Sequence, residues 1–377
     1  MLRPYEDALA RLDERGRLRR LALPEGYDFT SNDYLGLADS PELKDSVRLA
    51  LERGVSVGAG GSRLLRGNYS EHESLEAEAA AFFGSESALY FSSGFAANYA
   101  LFTALPQRGD LVVYDALIHA SAHDGMRAGR AETAEAAHND AAAVEDRIRA
   151  WRAAGEKGRP WIAVESLYSM DGDRAPLHDL AAIAERHDGI LVVDEAHATG
   201  VFGPDGRGLG AWLEGRPNVI SLHTCGKALG SAGAFLCGAR IFREFMINYS
   251  RAFIYSTAPS PLIAATVRAA LRLCKEEPRR REQLASLIEY ANDALELRCG
   301  VAPSGSQILP VIVGADARAT GLASAMRAYG YDIRAIRPPT VPEGTARLRI
   351  ALTLNTSQQL AGEMIETLRH ELERLGP

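Results

Sequence analysis

Lys227 stands in residues 221–234, SLHTCGKALGSAGA, surrounded by Gly226, Ala228, Gly230, Ser231, Ala232 and Gly233. Long cationic side chains ordinarily lie on solvated faces. This one follows an apolar stretch, and its neighbours are small enough to let another group approach the backbone. In a tight pocket a lysine loses part of its basicity, and its amine can condense with a carbonyl as a Schiff base. A solvent-exposed turn lysine explains the stretch equally well until other residues join it. The candidates are Asp194, Glu195 and His197 after ILVVD, His119 in LIHAS, Ser169 in SMDGD, Thr224 just before the lysine, and the run Ser93, Gly94, Phe95.

These residue types make up a recognisable chemistry. A Ser-Gly turn that opens a helix offers free N–H groups and the positive end of the helix dipole to a phosphate, although the same serine can be a plain N-cap. Pyridoxal phosphate needs an amine for its aldehyde, a carboxylate at the pyridine nitrogen, a donor for the ring hydroxyl and a phosphate cradle. Lys227 supplies the amine and Asp194 the carboxylate. His197, three residues on, reaches the ring oxygen, and His119 stacks on the ring. Thr224, Ser93, Gly94 and Phe95 hold the phosphate. Ser169 is a second candidate at the ring oxygen or at an acyl substrate. Cys225 reads as a small buried thiol, not as a nucleophile.

The elements that must position this set alternate between strand and helix. Apolar runs at 88–91, 111–114, 161–165, 190–194, 219–223 and 234–237 read as strands, with helices of about ten to fifteen residues between most of them. That pattern predicts an α/β fold with a mostly parallel sheet covered by helices on both faces. Ligands bind at the carboxyl ends of such strands, where every candidate above falls. Helices are expected over 1–20, 41–53 and 71–83, the last with His72 as a capping or interface residue. The Gly-rich loop GVSVGAGGSRLLRGN (54–68) either cradles an anion or packs closely at a subunit interface. After Pro259 the texture shifts to long helices at 260–276 and 279–298, then strands at 308–313, 331–336 and 347–353, which predicts a smaller α+β C-terminal domain. The expected division is 1–44 for an N-terminal helix and linker, 45–268 for the large domain and 269–377 for the small one.

Composition excludes several classes. The chain has 377 residues, 46% hydrophobic and 24% charged, and a net charge of −7. That length supports two ordinary domains, and the acidic balance argues against a general nucleic-acid or anionic-membrane binder. Four cysteines without metal-ligand spacing argue against a disulfide framework and a metal site. No apolar run suits a signal peptide or a membrane span, which predicts a cytoplasmic protein. The DEAH at 194–197 resembles a helicase Walker B strand. A nucleic-acid motor, however, needs G-x-x-x-x-G-K-[ST] upstream of that strand, whereas Gly226-Lys227 lies downstream without Ser or Thr at 228.

The motifs SNDYLGL, GGSRLLRGN, SSGFAAN, SMDGD, VVDEAHATG, TCGK and IYST, in this order and spacing, resemble the α-oxoamine synthases over nearly the whole chain. These are fold-type I, aminotransferase-like pyridoxal phosphate enzymes. The stretch AIRPPTVPEGTARLRI (335–350) is most similar to the members that join L-alanine to a pimeloyl thioester in biotin biosynthesis. Members that make aminoketobutyrate from glycine, and more remotely aminotransferases, are the alternatives. The resemblance implies a decarboxylative condensation with release of coenzyme A or a carrier protein. It further implies that Arg349, beside Asn32, binds the amino-acid carboxylate, with Arg347 as competitor. Arg337 would lie near the acyl or carboxylate end, and Arg19 and Arg20 either meet the thioester or line a solvated helix face. Ser256 and Thr257 would reach the cofactor phosphate of a neighbouring subunit, which implies a homodimer with shared sites.

Overall fold

The computed structural model describes Met1–Gly376, which group into two compact units. The larger comprises Leu35–Ser169 and Arg174–Arg281. The smaller comprises Met1–Tyr34, Met170–Asp173 and the chain from Glu282 onward.

The larger unit is built on one sheet. Its strands are β1 (Ser87–Phe91), β2 (Leu111–Asp115), β3 (Glu132–Ala136), β4 (Pro160–Glu165), β5 (Ile190–Asp194), β6 (Val219–Thr224) and β7 (Ala234–Gly238). They lie in the order β1-β7-β6-β5-β4-β2-β3. β2 to β6 run parallel, while β7 is antiparallel to both of its neighbours. Alternate residues of each strand face opposite sides. Val112, Trp161, Val192 and Leu222 join one apolar cluster, and Val113, Ile162, Leu191 and Val193 join another. The first is covered by α3 (Gly94–Ala104) and α4 (Ala120–Ala128), the second by α5 (Ala141–Ala153) and α6 (Leu177–Arg186). Each fully buried Leu or Ile contributes roughly 1.5–3 kcal/mol, so the carboxyl ends of β4, β5 and β6 stand on a rigid floor.

The six strands expected from apolar runs are all present, and the sheet has a seventh. β3, ETAEA, carries no apolar signal because it is an edge strand on which only Ala136 is buried; parallel pairing with β2 holds it. Helices begin where a short polar side chain can cap them. Ser93 accepts from Ala96 N–H at the start of α3, and Asp140 accepts from Ala143 N–H at the start of α5. His72 caps the start of α2 (Ser70–Phe83) by accepting from Tyr69 N–H on Nδ1 at 3.2 Å, as its position suggested.

In the smaller unit, β8 (Ile308–Gly314), β9 (Arg334–Ile336) and β10 (Ala346–Ala351) form an antiparallel sheet in the order β9-β10-β8. The run expected as one strand at 331–336 divides at the buried Ile333. Tyr331–Asp332 pairs instead with Tyr27–Asp28, near the N-terminus. The first helix is shorter than expected, Arg3–Glu14, and ends before Gly16, whose φ of +63° suits a left-handed turn. No helix among the described residues is long and apolar enough to cross a membrane.

Candidate active site

Lys227 lies on the turn between β6 and the antiparallel β7. The turn is closed by its own backbone: Cys225 N–H donates to Gly233 O at 2.8 Å, Ser231 N–H to Cys225 O at 2.9 Å, and Gly230 N–H to Lys227 O at 2.8 Å. Two of its glycines are demanded by protein packing. A Cβ on Gly230 (φ +59°) would stand 2.5 Å from the backbone nitrogen of Ala38, and one on Gly233 (φ +100°) would stand 2.4 Å from the Tyr90 ring. The sequence suggested that these small residues make room for a bound group. At Gly230 and Gly233 they make room for neighbouring protein, and only Gly226, with nothing nearer than 3.7 Å, leaves open approach. Cys225 is buried beneath the turn, and burial pushes its thiol pKa well up, which makes it inert.

From this turn Lys227 Nζ reaches His197 Nε2 at 2.8 Å. His197 is carried by the loop after β5, whose last residue is Asp194. Asp194 accepts from Ala196 N–H at 2.9 Å and from Asn98 Nδ2 at 2.8 Å. Asn98 also donates to Ser121 Oγ at 3.0 Å, and Ser121 N–H donates to His119 Nδ1 at 3.2 Å. A nitrogen that accepts from a backbone N–H carries no proton, so neutral His119 holds its proton on Nε2. Burial, the largest influence, lowers the His119 pKa; Asp194 opposes it, and Lys227 and His123 add to it. The ring is therefore neutral at pH 7.

A cavity of about 180 Å³ collects this set. Of the residues singled out from sequence, Gly94, Phe95, His119, Asp194, His197, Thr224 and Lys227 line it, all within the larger unit. Ser93 stands at the same helix start, with its hydroxyl engaged as the N-cap. Ser169 is buried outside the lining, and its N–H donates to Glu165 Oε2 at 3.1 Å. Three further polar residues line the cavity: Asn98, Ser121 and Glu165. Asn98 could have been found from its spacing, because it lies one helical turn beyond Gly94 on the same face. Glu165 ends an apolar strand directly in register with Asp194, but pairing of strands far apart in the chain is not written in either stretch alone.

The donor set fits pyridoxal phosphate. One carboxylate sits beside a lysine amine, a neutral imidazole carries its proton on Nε2, and the dipole end of α3 faces the cavity beside Thr224. Glu165 Oε1 is buried in the same cavity and meets no protein partner, as expected where a polar ligand completes the site.

Within the smaller unit, Arg349 donates to Asn32 Oδ1 at 3.0 Å. Arg347, two residues earlier, is 3% exposed and ion-paired to Asp171. Arg337 and Arg19 share a cleft of about 80 Å³ with Arg17. Arg337 donates to Gly16 O, Arg19 to Thr340 at 3.4 Å, and Arg17 pairs with Asp316 and Glu343. Ser256 and Thr257 are exposed on the larger unit, where Thr257 bridges to Ser62 of the Gly-rich loop. That loop is pinned by the buried pair of Arg63 with Glu76.

Known proteins resemble the chain over nearly its whole length. Residues 24–368 match the family model described as aminotransferase class I and II. The 8-amino-7-oxononanoate synthase of Chromobacterium violaceum is 43% identical over 99% of this chain and 96% of its own length. Among solved structures, 8-amino-7-oxononanoate synthase from Francisella tularensis superposes with a TM-score of 0.79 at 27% identity, covering 93% of this chain and 98% of that one. A serine palmitoyltransferase solved with PLP superposes with a TM-score of 0.88 at 25% identity, covering 100% of this chain and 98% of that one.

Proposed function

We propose a function for a chain that belongs to the aminotransferase class I and II family and, within it, to the α-oxoamine synthases of the 8-amino-7-oxononanoate synthase type. It joins L-alanine to a pimeloyl thioester, releasing the thiol carrier and CO2, to give 8-amino-7-oxononanoate for biotin biosynthesis. The observation that carries this is the convergence of Lys227, Asp194, His197 and His119 on one cavity at the strand ends.

When bound, pyridoxal phosphate supplies an aldehyde for the lysine amine and an electron-poor ring that accepts the electron pair left by a breaking Cα bond. The chain's own residues do the rest. Asp194, fixed by two N–H donors, keeps a proton on the ring nitrogen. His119, oriented by Ser121, stacks against the ring, with its Nε2–H available to the thioester carbonyl. Thr224, Ser93, Gly94 and Phe95 hold the phosphate. His197, 2.8 Å from Lys227 Nζ, meets the ring oxygen, with Ser169 as a second group near it. Lys227 Nζ takes the Cα proton of alanine and later returns one.

Arg349 binds the alanine carboxylate with its guanidinium fork, beside Asn32. Arg347 is already committed to Asp171. Arg337 and Arg19 offer cationic donors to the far carboxylate of the acyl chain or to its carrier. Ser256 and Thr257 serve the phosphate of a second copy, so the working form is a homodimer with shared sites.

The test is made on purified protein: a visible cofactor band, then thiol release with alanine or glycine against pimeloyl, acetyl and succinyl thioesters of coenzyme A, and against pimeloyl carrier protein. Alanine with a pimeloyl thioester should be the preferred pair. Preference for glycine and acetyl-coenzyme A would move the assignment to glycine C-acetyltransferase. Conversion of an added oxo acid without any thioester would move it to an aminotransferase.

A further inference from the structure

Glu165 closes β4 and lies in register with Asp194 at the end of β5. Neighbouring strands are about 4.8 Å apart, so two carboxyl groups are placed side by side at the edge of a buried cavity. Two like charges at that spacing in a low-dielectric site cannot both persist. The hydrogen bonds decide which one keeps its proton. Asp194 receives N–H donors on both oxygens, from Ala196 and Asn98. Glu165 receives one, from Ser169, on Oε2. Its other oxygen, Oε1, is buried in the cavity without a partner.

The groups that face Glu165 agree with this division. Burial is the largest influence and raises its pKa well above the ordinary carboxylate range; Asp194 and Asp115 raise it further, while Lys227 and the Ser169 N–H oppose them. His119 and His197 line the same cavity, the former held neutral. Glu165 is thus an acid whose O–H projects where no protein acceptor meets it. An orphaned buried donor of this kind is destabilising, and a ligand acceptor removes the cost.

We infer that Glu165 is a neutral carboxylic acid that donates a hydrogen bond from Oε1 to the ring hydroxyl oxygen of the bound cofactor. The inference rests on pyridoxal phosphate occupying the Lys227 cavity. There Asp194 takes the ring nitrogen, the start of α3 takes the phosphate and Lys227 takes the aldehyde, which leaves the ring oxygen as the acceptor. Glu165 adds a donor to that oxygen beside His197, and so stabilises its ionised form.

The experiment compares wild type, Glu165→Gln and Glu165→Ala, each loaded with pyridoxal phosphate, by the pH midpoint of the visible band of the Lys227-bound cofactor. The Gln amide preserves a donor, so its midpoint should stay within about 0.3 unit of wild type. Ala removes the donor, destabilises the ionised ring oxygen and should raise the midpoint by about one unit, a tenfold change in proton affinity. An ionised Glu165 predicts the opposite: both variants would lose an anion near a cationic nitrogen, and both midpoints would fall. Unchanged midpoints in both variants would mean a packing role only. Either of these results overturns the inference.

Because the Ala variant opens a cavity, infrared difference spectra of the wild-type and Glu165→Gln holoenzymes give a second measurement. A protonated carboxyl stretch present only in wild type is expected, and a carboxylate stretch in its place refutes the inference. Wild-type protein that develops no cofactor band fails at an earlier step, which overturns the site assignment itself and this inference with it.

Discussion

Arg347 and Arg349 lie two residues apart on β10 and are both buried. Arg347 pairs with the Asp171 carboxylate and donates to Met170 O at 3.4 Å, whereas Arg349 meets the neutral amide of Asn32. Arg347 is committed to that carboxylate, whereas the guanidinium fork of Arg349 suits an incoming one. The sequence could not separate the two, because alternation puts both on one strand face and the Asp171 partner is far away in the chain. Arg349→Lys keeps the charge but loses the fork. It should raise KM for alanine by about 10- to 100-fold (roughly 1.4–2.7 kcal/mol) with kcat within a few-fold and little change in melting temperature. Arg347→Ala should instead destabilise the fold by about 2–4 kcal/mol, below the full value for a buried pair because Asp171 is partly exposed. Steady-state kinetics and urea unfolding check both. A KM effect confined to Arg347 would reassign the carboxylate.

The element that decides activity is the turn 225–233, and its glycines divide into two kinds. Gly233 combines a positive φ with a Tyr90 ring 2.4 Å from its would-be Cβ, while Gly226 has neither constraint. Gly233→Ala should destabilise the protein by at least about 2 kcal/mol and abolish cofactor capture. Gly226→Ala should leave unfolding within about 0.5 kcal/mol of wild type yet weaken cofactor binding, because there a methyl group meets protein only at ordinary contact distance, beside Thr224. Equal losses of stability in the two variants, measured by denaturant unfolding and cofactor titration, would refute this division. Much at this scale was readable from the chain. Apolar runs located six of the seven strands of the large sheet, and small polar residues located the helix starts. What escaped had no local signature: β3 is an exposed edge of Glu, Thr and Ala, the break at Ile333 depends on pairing with Tyr27–Asp28, and Glu165 acquires its setting from Asp194 across the sheet. The cofactor candidates could be named because together they make up the set that pyridoxal phosphate needs. Their mutual distances could not.

On the scale of the whole molecule, the segment that follows Tyr255 bears on stability and on the proposed dimer. His72 accepts from Tyr69 N–H on Nδ1 and donates from Nε2 to Pro259 O at 2.8 Å, which requires the neutral ring. Burial, its largest influence, lowers its folded pKa below the unfolded value of about 6.5. Between those values the unfolded chain binds the extra proton, so this contribution to stability is present above about pH 6.5 and is lost as pH falls through the folded pKa. The melting-temperature gap between wild type and His72→Gln should therefore be wide at pH 7.5 and narrow by pH 5.5. A constant gap in thermal melts would place the contribution elsewhere.

The same contact fixes the exposed Ser256 and Thr257 beside the Gly-rich loop, where Ala258 N–H donates to Gly61 O at 2.9 Å and Leu65 and Tyr255 remain 85% and 72% exposed. Rigid, exposed hydroxyls in this position suit the proposed site completed by a second copy. A two-fold dimer makes this testable by mixing. Lys227→Ala removes the amine, and Thr257→Glu sets a carboxylate against the phosphate, so each homodimer should be inactive. In a mixed dimer with shared sites, one site receives both defects. The other combines the intact Lys227 of one protomer with the intact Thr257 of its neighbour. A statistical mixture should then regain about a quarter of wild-type activity. If Thr257 served its own chain's site, every site would carry one defect and mixing would restore nothing.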